Sequence, residues 1–104
     1  MFFHATSFNQ PLNKWNVSNV RNMRFMFGSA RSFNQPLNEW NVSNVEWMFN
    51  MFTNATSFNQ PLNSWDVSNA NVEEMGYMFD GATSFNQPLH APWHRNQDIK
   101  RLEI

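Results

Sequence analysis

Three histidines carry the only imidazoles in this 104-residue chain, and two of them, His90 and His94, stand four apart. On a helix that spacing would aim both imidazoles at one metal ion, but Pro92 between them breaks such a helix, so no metal site is expected. Cysteine is absent, which removes disulfides, thiolate nucleophiles and thiolate metal ligands together. No serine sits in a nucleophile elbow, no glycine-rich loop is available to hold phosphate, and no carboxylate pair recurs. The expectation is a non-enzyme without a cofactor.

The remaining residues with chemical potential occur in rows. Trp15, Trp40 and Trp65 could stack sugars, Met23, Met26, Met48, Met51, Met75 and Met78 could bind soft metals, and Asn9, Asn34, Asn59 and Asn86 could read amides. The tryptophans alternate in phase with Val17, Val42 and Val67, and the methionines fall in one stripe with Phe27, Phe52 and Phe79. Both rows therefore read as core. The asparagines read as a ladder of stacked amides that satisfies turn backbone from one unit to the next. Asn16-Val17-Ser18, Asn41-Val42-Ser43 and Asn54-Ala55-Thr56 match the glycosylation acceptor pattern, the first two as by-products of the repetition.

Charge narrows the partners. Seven Lys plus Arg against eight Asp plus Glu give no field that would draw a nucleic-acid backbone or an anionic membrane. No apolar run has the length of a membrane span, and Met1-Phe2-Phe3-His4 lacks the basic start and long apolar core of a secretory signal. The length allows one domain.

What must position all these residues is a repeat. Ser7-Phe8-Asn9-Gln10-Pro11-Leu12-Asn13 recurs unchanged at Ser32 and Ser57, and at Ser84 with only its last letter altered, at spacings of 25, 25 and 27 residues. Behind each copy the apolar positions recur as well: Trp15, Val17, Val20, Met23, Met26, Phe27 and Ala30, then Trp40, Val42, Val45, Met48, Met51, Phe52 and Ala55. The third unit supplies Trp65, Val67, Val72, Met75, Met78, Phe79 and Ala82, if a two-residue insertion falls near Ala70 and Asn71. Positions between them vary from unit to unit, which marks them as exposed.

Two periods share each unit. Trp15 and Val17 alternate with Lys14, Asn16 and Ser18, as on a short half-buried strand. Val20, Met23, Met26 and Phe27 fall at i, i+3, i+6 and i+7, one stripe of a short helix that Ser18 or Asn19 would cap. One strand per unit in a constant sense demands parallel pairing, with the helix as a right-handed crossover. Strands about 4.8 Å apart beside helices roughly 8 to 10 Å apart would curve the stack. The expected architecture is an α/β repeat: a right-handed leucine-rich-repeat-like solenoid with one short parallel strand and one short helix per 25-residue unit, over residues 1–93; the competing architecture is an all-β solenoid with no helix, against which the run Val20 to Phe27 argues. Residues 94–104, polar and charged, would form a closing cap or tail.

The units Ser-Phe-Asn-Gln-Pro-Leu-Asn-x-Trp-Asn/Asp-Val-Ser-Asn-Val, each followed by Met-x-x-Met-Phe, resemble the BspA-type leucine-rich-repeat surface proteins, known from mycoplasmas also as a lipoprotein-associated domain of unknown function. The resemblance spans about Met1 to Leu89. It implies a bacterial surface or secreted array with members proposed to act in adhesion and in host or matrix binding, and it brings no catalytic residues. Met1-Phe2 takes the place of Met26-Phe27, so the chain begins inside a unit and reads as a segment of a longer array, open to end-to-end self-association.

Candidate binding residues follow from exposure. Lys14, Asn16, Glu39, Asn41, Ser64 and Asp66 would form a polar concave surface. Trp47 and Phe49 break the repeat where other units carry Asn22 or Glu74 and Arg24 or Gly76, and Phe25 and Tyr77 are further apolar residues at a variable position. The functional expectation is a non-catalytic interaction module binding a protein or glycan. The alternative is a structural spacer with no ligand of its own.

Overall fold

The computed structural model describes residues 2–70 and 77–87. Successive repeats lie one upon the next in register, and the register is visible in the backbone. Phe2 and His4 donate N–H bonds to the carbonyls of Met26 and Gly28, while Met23, Phe25, Phe27 and Ser29 donate to those of Trp47, Phe49, Met51 and Thr53. Phe52 and Asn54 do the same to Met78 and Asp80, two residues further on because of the longer third spacing. Alternate amides thus point to the following unit, as in a parallel ladder.

The intervening backbone closes tight turns. Trp15 donates to the carbonyl of Leu12, Val20 to Val17, Met26 to Met23, Ala30 to Phe27 and Phe33 to Ala30, and the second unit repeats the series from Leu37 to Phe58. Core residues are therefore the corners of four-residue turns joined by i to i+3 bonds.

This arrangement corrects the expected solenoid of one strand and one helix per unit. Among the described residues there is no helix, and strand pairing is limited to an isolated parallel bridge between Asn22 and Trp47. A helix over Val20 to Phe27 would send the amides of Met23, Phe25 and Phe27 four residues back along the chain. They go to the neighbouring unit instead, and Phe25 has φ 58°, which a right-handed helix forbids. The spacing of three that resembled a helical stripe is the spacing of turn corners. The expected strand at Trp15 and Val17 fails likewise, because each residue belongs to a turn, closed at Leu12 to Trp15 and at Val17 to Val20. Ala70 fills the corner of Val20 and Val45, donating to the carbonyl of Val67; Val72, expected at that position, lies outside the described residues. Met75 and the 94–104 segment lie outside the described residues.

Each unit makes two left-handed turns of the backbone. Phe25, Asn50 and Tyr77 share one register position, with φ 58°, 57° and 64°; His4, Ser29, Asn54 and Gly81 share the other, with φ 63°, 58°, 59° and 76°. Asparagine and glycine suit this region, whereas an aromatic residue held there costs roughly 1–2 kcal/mol. A Cβ on Gly81 would also collide with the Asn54 carboxamide.

The core is built from columns of rings. Phe2, Phe27, Phe52 and Phe79 stack with centroids 5.5–5.6 Å apart and planes within 7°. Phe8, Phe33, Phe58 and Phe85 form a second column at 5.9–6.0 Å. Within a unit the columns touch at 4.3–4.4 Å. Met23, Met26, Met48, Met51 and Met78 are buried beside them, and no buried polar or charged residue interrupts the core among the described residues.

Side chains reinforce the stacking. Asn9 Oδ1 accepts the Asn34 N–H at 2.9 Å and the Gln35 carboxamide at 3.1 Å; Asn34 serves Asn59 and Gln60 in the same way, and Asn59 serves Asn86 and Gln87. The asparagine row is the amide ladder expected of it. The Trp40 indole N–H donates to the Leu12 carbonyl and that of Trp65 to Leu37, each at 2.8 Å. These two rings are buried, whereas Trp15, expected to match them, is 45% exposed. Asn34→Ala should lower stability by about 1–2 kcal/mol, read from the urea midpoint, by leaving the partly buried Asn59 amide unpaired.

Candidate functional site

Three of the polar candidates, Asn16, Asn41 and Asp66, close turns. Asn16 Oδ1 accepts the Ser18 N–H at 3.0 Å and its hydroxyl at 2.6 Å; Asn41 does so for Ser43, and Asp66 Oδ1 accepts the Ser68 N–H. These side chains close Asx turns in the corner between Val17 and Val20 and its equivalents. Lys14, Glu39 and Ser64 are exposed at the preceding corner. There the Ser64 hydroxyl donates to the Asn38 carbonyl and its amide to Asn38 Oδ1. The expected polar surface therefore exists as a stacked row, but its amides and carboxylate are engaged with their own backbone.

Asp66 stands where the other units have asparagine. The hydrogen bonds from Ser68 hold its carboxyl below the usual carboxylate range. A lowered folded value means stabilisation present above the unfolded value of about 3.9, and lost as pH falls through the folded one. Asp66→Asn should thus remove a small acid-side loss of stability and leave the neutral melting temperature unchanged. Melting curves of both chains from neutrality to acid pH check this.

The apolar candidates come together. Phe49 packs edge-on against Phe25 at 5.9 Å and against Tyr77 at 6.1 Å, and Phe25 meets Phe3 at 5.3 Å. The result is one line of rings across successive units. Phe3, Phe25 and Tyr77 are 49%, 36% and 54% exposed, and Phe49 is half-buried between its neighbours. Trp47, also half-buried, lies under the Arg24 guanidinium at 5.4 Å, a cation–π contact. Arg21 pairs with Glu46 at 3.0 Å beside it, above a polar hollow of about 360 Å³ that Asn44 and Asn69 complete.

Phe3 had no standing as a site residue in the sequence, because the corresponding positions are Gly28, Thr53 and Asp80. Its departure from three small or polar residues is the signal that marks it. The left-handed backbone under Phe25 and Tyr77 was equally hidden, although Asn50 at the same register hints at it.

Among the described residues no group of three or more His, Asp or Glu could hold a metal ion, and no helix is long and apolar enough to cross a membrane. His90 and His94 lie outside the described residues.

A stack of turn repeats of about 25 residues, without a helix among the described residues and with an external aromatic line, is the class of structure so defined. The family described as "Mycoplasma protein of unknown function, DUF285" matches residues 1–93, and the chain belongs to that family. No curated protein and no solved structure matches it.

Proposed function

We propose that the chain is a non-catalytic interaction module that binds a protein partner through the line Phe3, Phe25, Phe49 and Tyr77, as part of a surface or secreted adhesin-like protein. The observation that supports this is the conformation of Phe25 and Tyr77. Both are exposed aromatics held at positive φ, at a position where Asn50 meets the same backbone requirement with a residue type suited to it. Backbone strain kept at an exposed ring brings the fold no burial, and strained positions concentrate at binding surfaces.

Aromatic residues beside an arginine are the composition of protein-binding hot spots. A protein is favoured over a glycan because adjacent rings along Phe25, Phe49 and Tyr77 cross at 81°, which offers no run of parallel faces to successive sugars. The surface or secreted setting rests on the resemblance to the BspA-type proteins.

The test is the double variant Phe25→Asn with Tyr77→Asn. Its stability should equal the parent's or exceed it by up to about 1 kcal/mol, since asparagine relieves the left-handed strain. Its affinity for an immobilised extracellular-matrix protein preparation should fall by at least about tenfold. Equal binding by variant and parent, or none by either, would return the chain to a structural spacer.

A further inference from the structure

We infer that Thr53 is a positioning residue for the aromatic line: its hydroxyl holds Tyr77 in the left-handed conformation and makes that exposed ring the pre-organised anchor for a protein partner. This role rests on the reading of the line as a binding surface.

Two donors meet at the Tyr77 carbonyl. The Thr53 hydroxyl donates to it at 2.6 Å, and the Asp80 amide closes a turn onto it at 3.2 Å. Thr53 itself is fixed on both sides, because Phe52 and Asn54 donate their amides to the carbonyls of Met78 and Asp80 at 2.9 and 2.8 Å. Its β-branched side chain has few rotamers to lose in making the bond. The residue so gripped has φ 64°, and a return to negative φ would swing its carbonyl away from both donors.

The other left-handed residues at this register are supported differently. In front of Asn50 the position of Thr53 is taken by Gly28, which has no hydroxyl, and asparagine accepts positive φ by type. In front of Phe25 stands Phe3, whose ring packs against it at 5.3 Å. Tyr77 is unsuited by type and is 54% exposed, more than any other ring of the line. It meets Phe49 edge-on at 6.1 Å, and its phenol makes no hydrogen bond among the described residues. A side chain and backbone held still before contact lose less freedom on binding, and tyrosine is among the residue types that dominate interface energetics.

Thr53→Val keeps the shape and removes the hydroxyl, whereas Thr53→Ser retains it. Tyr77 is the sole tyrosine, so its NMR signals are unambiguous. In Thr53→Val the strong amide-to-Hα NOE within Tyr77, the mark of a left-handed residue, should weaken, and its backbone order parameter should fall from about 0.85 to about 0.6 or below. The buried Phe27 and Met51 should keep parent values, and Thr53→Ser should match the parent throughout. Affinity for the immobilised extracellular-matrix protein preparation should fall by at least about fivefold in Thr53→Val and recover in Thr53→Ser. With Tyr77→Asn already in place, Thr53→Val should change it by less than about twofold, because the hydroxyl acts through Tyr77. A Tyr77 as rigid in Thr53→Val as in the parent, or a loosened Tyr77 with unchanged affinity, would overturn the inference. A parent chain that does not bind the preparation would defeat the reading of the line, while the NMR comparison would still decide whether Thr53 holds Tyr77.

Discussion

Phe52→Ala is expected to lower the free energy of unfolding by about 3–5 kcal/mol, the range for deleting a fully enclosed aromatic ring. Phe52 contacts four rings at once: Phe27 and Phe79 above and below at 5.5 Å, Phe58 at 4.4 Å and Trp65 at 6.4 Å. Its removal opens a void in the middle of a column, where rings on both sides are fixed by backbone bonds between units and cannot close in. A domain of this size has about 5–15 kcal/mol in total, so the variant should lose much of its margin. Phe52→Leu, which refills part of the space, should lose less than half as much. Urea titrations of the three chains measure both effects, and equal losses would show that the column is not close-packed.

Trp40→Ala is expected to cost nearly as much, about 3–5 kcal/mol. The ring is buried against Phe27 at 6.2 Å, and its N–H satisfies the Leu12 carbonyl of the preceding unit. Trp40→Phe separates the two contributions and should lose about 1–2 kcal/mol, mostly from the unpaired carbonyl. The internal comparison is Trp15→Ala. Trp15 occupies the same register but is nearly half exposed and has no carbonyl to meet, so its loss should stay near 1 kcal/mol. Similar losses at Trp15 and Trp40 would contradict the asymmetry between the first unit and the second.

The register of the fold was legible in the sequence because identical strings recur at fixed spacing, and identical side chains stack best on themselves. Phe27 over Phe52 and Asn34 over Asn59 follow directly from that rule. The path of the chain within a unit was not legible. A run such as Val20, Met23, Met26 and Phe27 has the spacing of a helix and equally that of turn corners, and the side-chain period alone does not separate them. The features that decide are the positive φ values at Phe25, Asn50 and Tyr77 and at Ser29 and Asn54. Only the asparagines announce them by type. Helices also need room, and backbone bonds running directly from unit to unit leave none between layers.

The candidate site was half legible. Trp47, Phe49 and Tyr77 stood out because they break the repeat, and the fold gathers Phe49 and Tyr77 into one line with Phe25. At Asn16, Asn41 and Asp66 the sequence showed exposed polar residues but not the Asx turns that each of them closes beside a corner.

The central claim is that alternate amides of each unit bond to the next unit and not along a helix. NMR couplings transmitted through hydrogen bonds, from amide nitrogen to acceptor carbonyl carbon, read this directly. Correlations should link Phe25 to Phe49, Phe27 to Met51 and Ser29 to Thr53. Correlations from Phe27 to Met23 and from Phe25 to Arg21, each four residues back, would restore the helix and contradict the account.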